Sequence, residues 1–93
     1  MTDRSLEYLD FVRTQPCICT MQSAEACHLK HIGRGIDKSK PNPRHFTAVP
    51  MTHEVHMDWH TMTKAEFEQE YNVNVWQENV RLLIRFLTGE EMQ

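Results

Sequence analysis

The chain has little net charge, few cysteines and no long apolar run, and each scarcity removes a class of protein. No hydrophobic stretch approaches membrane-spanning length, so no membrane partner is expected. The three cysteines are an odd number and follow no signal peptide, which argues against a disulfide framework and for a cytoplasmic, reducing location. The formal net charge of −3 is against a protein that holds nucleic acid through bulk positive charge, although clustered basic residues stay compatible with it. There is no internal repeat, low-complexity tract or linker. The 93 residues, 40% hydrophobic and 25% charged, therefore predict one domain, 1–93, with a core of modest size.

What is present is unevenly placed. All 6 histidines lie between positions 28 and 60. Lys30, Arg34, Lys38, Lys40 and Arg44 crowd the same stretch, while acids gather at Glu66, Glu68, Glu70, Glu90 and Glu91. This asymmetry points to an anionic partner at the basic loop.

Local signals outline the elements. Residues 3–14 read as a helix with Leu6, Leu9 and Val12 on its apolar side, capped by Asp3 or Ser5 and stopped by Pro16. Residues 24–32 suggest a short strand, and His45 to Val49 a second one closed by Pro50. Gly33, Gly35, Pro41 and Pro43 mark the loop between them. Thr52 is a plausible cap for a helix carrying His53, His56 and His60. Thr63 with Glu66 forms a capping box for the next helix. Asn74 caps the last helix, Val75 to Thr88, and Gly89 ends it. Trp59 and Trp76 are expected in the core.

The chemistry sits in the middle of the chain. Residues three, four and seven apart return to one helix face, so His53, His56 and His60 form a stripe. Two imidazoles four apart can grip one metal ion from the same side. Cys27 on the preceding strand would complete a set of three ligands with a position left open, as in a catalytic rather than a structural metal centre. His28, beside it, could take a proton from water. Cys17 and Cys19 read more simply as buried small side chains than as ligands with His53, and His31 as a loop residue.

These stretches resemble the ββα-metal (HNH, or His-Me finger) nucleases, most of all the small phage and prophage type. The likeness is carried by Pro16-Cys17-Ile18-Cys19, Ala26-Cys27-His28-Leu29, the loop from Gly33 to Lys40, Thr47-Ala48-Val49-Pro50-Met51, and Val55-His56-Met57-Asp58-Trp59-His60, about half of the chain. The resemblance implies an α+β fold: a ββα-metal finger, a short β-hairpin plus helix at about 24–62, flanked by an N-terminal helix (3–14) and two C-terminal helices (63–89). It implies that His28 is the general base and that Cys27, His56 and His60 fall on metal-ligand positions. His45, with Asn42 as an alternative, falls where the family ties its strands together or touches the metal. The implied activity is metal-dependent endonuclease hydrolysis of DNA phosphodiester bonds in a bacterial host cell. One divalent ion (Zn, or Mg, Mn or Ni) would serve as cofactor, and Lys30, Arg34, Lys38, Lys40 and Arg44 would lie along the DNA. Cysteine at position 27 is softer than the usual ligand and favours Zn²⁺ over Mg²⁺. The family's separate zinc knuckle lacks its second ligand pair here, with Thr52 and Val55 in its place. The alternative is a catalytically inactive, zinc-stabilised binding module of the same fold. A plain interaction protein, or a homodimer, using the last helix through Trp76, Leu83 and Leu87 is a further reading.

Overall fold

The computed structural model describes residues 4–29 and 39–89. Among them the order is α1 (Arg4–Arg13), β1 (Glu25–His28), a 3-10 helix (Pro43–Thr47), β2 (Ala48–Met51), α2 (His53–Thr61), α3 (Lys64–Tyr71) and α4 (Val75–Thr88). The class is α+β: four α-helices around one two-stranded antiparallel hairpin. No described helix is long and apolar enough to cross a membrane.

The hairpin is the centre. Glu25 pairs with Met51, Ala26 with Pro50, Cys27 with Val49 and His28 with Ala48. β2 is buried along its whole length. α1 lies against it through Ser5, Tyr8, Leu9 and Val12, spaced three and four apart as a helix face requires. α4 supplies Val75, Asn79 and Leu82 from the opposite end of the chain. Tyr8, Phe11 and Phe86 form an aromatic cluster with ring centroids 5.3 to 6.1 Å apart, and the Arg4 guanidinium stacks over Phe86 at 4.5 Å.

A polar knot holds these layers in register. The Tyr8 hydroxyl donates to the Ala48 carbonyl at 2.8 Å. The Asn79 amide donates to the Phe46 carbonyl at 2.9 Å and also approaches Tyr8 Oη and the Ala48 carbonyl at 3.3 Å. Burial pushes the Tyr8 phenol well above its ordinary range, so it stays a donor. Replacing Asn79 by alanine would leave the Phe46 carbonyl without this donor. The expected cost is about 1–3 kcal/mol of stability, seen as a lower urea midpoint at unchanged slope; a midpoint equal to wild type would show that the knot contributes nothing.

Three sequence expectations for the hairpin are corrected. The second strand is not His45 to Val49 but Ala48–Met51, because Pro43 begins a 3-10 helix whose cap, Asn42, accepts from the Arg44 amide at 2.9 Å. Pro50 does not close the strand; it lies inside it. Its carbonyl accepts from the Ile18 amide at 3.0 Å, so the side of the residue that lacks an N–H faces the outer edge, where no ladder bond to β1 is lost. The first strand ends at His28, although the Leu29 amide still reaches the Thr47 carbonyl at 3.2 Å. Ser5 does not cap α1: its hydroxyl accepts from the Asn42 amide instead, at 3.2 Å. Asp3, the other expected cap, lies outside the described residues.

The later helices begin and end where local chemistry puts them. Thr63 and Glu66 form the capping box of α3. Asn72, with φ 53°, ends that helix in the left-handed region that asparagine tolerates. Asn74 caps α4 and Gly89, with φ 71°, stops it. The Tyr71 hydroxyl donates to the Asp58 carboxylate, which ties α3 to α2 and pushes the phenol up to about 12. Trp59 packs edge-on against Phe67 at 5.2 Å. Trp76, expected in the core, is instead 38% exposed, in line with Val80, Ile84 and Leu87 on the outer side of α4.

Candidate active site

His28 ends β1 and meets His45 from the 3-10 helix. Their Nε2 and Nδ1 atoms are 2.9 Å apart. His45 is wholly buried, and its Nε2 lies 2.7 Å from the Lys40 carbonyl. A carbonyl only accepts, so His45 Nε2 carries hydrogen. In neutral His45 the other nitrogen, Nδ1, is then the acceptor. His28 must donate to it through Nε2, which leaves the lone pair of neutral His28 on Nδ1. One backbone carbonyl thus sets the tautomers of two rings in series.

The second cluster faces β1 from α2. Thr52 Oγ1 caps the helix by accepting from the Val55 amide at 3.3 Å, and buried Val55 anchors the first turn. The His56 and His60 rings lie one above the other, centroids 4.7 Å apart. Glu25, which sequence reasoning missed, accepts from His56 Nδ1 at 2.7 Å and lies 3.5 Å from His53 Nδ1. The hydrogen bond from His56 holds the Glu25 carboxyl below the usual carboxylate range. No spacing rule reveals this pair, since 31 residues separate its members. The usable signal was an acid two positions before Cys27, on the same face of the strand.

Cys27 is wholly buried among apolar neighbours, its thiol 3.9 Å from the His28 carbonyl. Strand alternation puts it on the side of the hairpin where Glu25 meets α2. Farther along that side, Leu29 shares a pocket of ≈ 250 Å³ with Trp59, His60, Met62 and Lys64. Among the described residues no three His, Cys, Asp or Glu side chains converge in a geometry that holds a metal ion. The structure therefore brings His56 and His60 together with Glu25 behind them, and does not close a three-ligand set with Cys27.

The other expected residues separate clearly. Lys40 and Arg44 are exposed beside the buried His45. Lys30, His31, Arg34 and Lys38 lie outside the described residues. His53 is 79% exposed, as a first-turn surface residue should be. Burial pushes the Cys17 thiol up, but hydrogen bonds from the Thr20 side chain and from backbone amides outweigh it and hold it below the ordinary thiol range. Burial, then the neighbouring Cys17, push Cys19 up to about 12. Both cysteines serve the turn that leads into β1: the Cys19 amide donates to Cys17 Sγ at 3.4 Å.

No curated protein and no solved structure matches the chain. A family model described as a protein of unknown function, DUF968, matches residues 1–87. That span takes in the hairpin, the His28–His45 pair, the imidazoles of α2 and nearly all of α4, and the chain belongs to the DUF968 family.

Proposed function

We propose that this chain is a metal-dependent endonuclease that hydrolyses DNA phosphodiester bonds, with β1, β2 and α2 forming a ββα-metal finger. The observation that carries the reading is the His28–His45–Lys40 series. A histidine held through Nε2, with its Nδ1 lone pair set by a buried partner, is built to accept a proton. In the reaction, the water oxygen bonds to phosphorus while its proton passes to His28 Nδ1, and the bond from phosphorus to the leaving sugar oxygen breaks. The positive charge gained by His28 is eased by His45 Nδ1, the acceptor for its Nε2–H.

The donor chemistry of α2 fits a divalent ion in part. His56 and His60 supply two neighbouring imidazoles, tilted by 32° to each other, His56 is backed by a carboxylate, and Cys27 lies on the facing strand. Imidazole donors suit Zn²⁺ and Ni²⁺ and accept Mn²⁺; two protein ligands leave room for water and phosphate oxygens. When bound, such an ion stabilises negative charge on the phosphate and on the leaving oxygen. Lys40 and Arg44, exposed next to His45, suit the backbone phosphates on either side.

The test is plasmid cleavage by metal-stripped protein resupplied with Mg²⁺, Mn²⁺, Ni²⁺ or Zn²⁺. Nicking with at least one ion is expected. If none supports cleavage, the inactive zinc-stabilised module becomes the better reading. A second expectation concerns the contact surface. Changing Lys40 and Arg44 together to alanine should weaken binding to unrelated DNA sequences alike and reduce the log–log salt slope by up to about two. An unchanged slope would place the DNA elsewhere.

A further inference from the structure

We propose that α4 pairs antiparallel with the α4 of a second copy of this chain, through the stripe Trp76, Val80, Leu83, Ile84 and Leu87. Six large apolar side chains are exposed among the described residues. Four of them, Trp76 (38%), Val80 (52%), Ile84 (56%) and Leu87 (64%), lie along this one side of one helix. Single exposed apolar residues need no explanation, but a contiguous row on one face marks a contact surface. The core does not use this face. α4 meets its own chain through Val75, Asn79, Leu82 and Phe86, about a third of a turn away around the helix. Half-buried Leu83 joins the row to the core.

The stripe describes its own partner. Trp76, Val80, Leu83 and Leu87 are spaced four, three and four apart, the seam spacing of two helices packed along their length. That spacing reads the same in both directions. A two-fold axis beside the point between Arg81 and Leu82 therefore carries the seam onto itself. It sets Trp76 against Leu87 of the copy and Val80 against Leu83 of the copy, each contact made twice. Antiparallel packing also puts each helix N-terminus beside the other's C-terminus, where opposite partial charges attract. No charged residue lies in the seam. The nearest charged side chains of α4 are engaged inside their own chain, Arg81 with Glu78 at 2.8 Å and Arg85 with Gln15 at 2.6 Å. A nucleic acid or a charged peptide would find no ion there to pair with, whereas a second copy buries no charge. A standard stable interface takes about 800 Å² from each partner, and three turns of half-exposed side chains offer roughly half of that, which sets the expectation at a weak, reversible dimer.

The experiment is sedimentation equilibrium of the full chain from about 10 μM to about 1 mM. The samples are wild type, Leu87→Glu, Trp76→Lys and an equimolar mixture of the two variants. The apparent mass of wild type should double across that range. Each variant alone should stay monomeric, because it sets a new charge against an apolar side chain. Both positions are exposed, so circular dichroism of each variant should match wild type. The mixture should dimerise, because antiparallel packing sets the new carboxylate of one variant against the new ammonium of the other, and parallel packing does not. Wild type that is monomeric at the highest concentration overturns the proposal and leaves the stripe to a different protein. A dimer that both substitutions leave intact overturns it and puts the interface elsewhere on the chain. Variants that stay apart when mixed overturn the antiparallel arrangement. None of these outcomes depends on DNA cleavage, since α4 carries none of the residues assigned to that site.

Discussion

Replacing His28 by alanine is expected to lower DNA cleavage by at least about two orders of magnitude, the usual contribution of a positioned general base. Bound metal and folding should stay near wild type, for His28 is only half-buried and its ring lies against His45 rather than in the apolar core. His45→Ala tests the same series from the other end. It removes the acceptor that sets the His28 tautomer, and it also opens a hole at a wholly buried position, so a loss of stability should accompany its loss of rate. The two variants are thus distinguishable by thermal denaturation. The pH dependence has a definite sign. The base works only while Nδ1 holds a lone pair, so the rate should fall as acid protonates the imidazole. Cleavage by His28→Ala at the wild-type rate would show that the base lies elsewhere, and His45 or His31 would be next.

Changing His56 and His60 together to alanine is expected to abolish metal retention. Wild type should carry about one divalent ion per chain, and the double variant no more than background in elemental analysis. Both imidazoles project from a helix that does not depend on them: Thr52 caps it, Val55 anchors it, and Asp58 holds Tyr71 of α3. Circular dichroism should therefore be unchanged. Cleavage should vanish along with the ion, whereas DNA binding through Lys40 and Arg44 should persist. Equal metal content in wild type and double variant would remove the site, and with it the nuclease proposal.

The helix limits were legible because they are written in short-range chemistry. Thr63 with Glu66, Asn74 and Gly89 each act within one turn of their own position, and the last helix begins and ends at the residues these signals name. The histidine stripe of α2 follows from helical periodicity in the same way, and the His56 and His60 rings do lie side by side, 4.7 Å between centroids and tilted by 32°. The hairpin was harder. His45-Phe46-Thr47-Ala48-Val49 has the apolar look of a strand, yet Asn42 and Pro43 wind its first half into a 3-10 helix. That shift carries His45 out of the ladder and into the core, where its ring can meet both His28 and the Lys40 carbonyl. Trp76 was misjudged for a related reason: its side of α4 is apolar, but the face turned to β2 is that of Val75, Asn79 and Leu82.

Residue order alone was enough for the helices α2 to α4, their caps and the pairing of His56 with His60, since each depends on neighbours a few positions away. Tertiary structure decided which distant groups meet. The antiparallel register of β1 against β2 brings Glu25 to His56 across 31 positions and His28 to His45 across 17. It also buries Cys27 in the core while the imidazoles of α2 stay nearer the surface. Side-chain alternation has a period of two, so a slip of one residue would exchange Glu25 and Cys27 for Ala26 and His28 on the face toward α2. That choice belongs to the burial of the whole hairpin between α1, α4 and α2, and no local run of residues contains it.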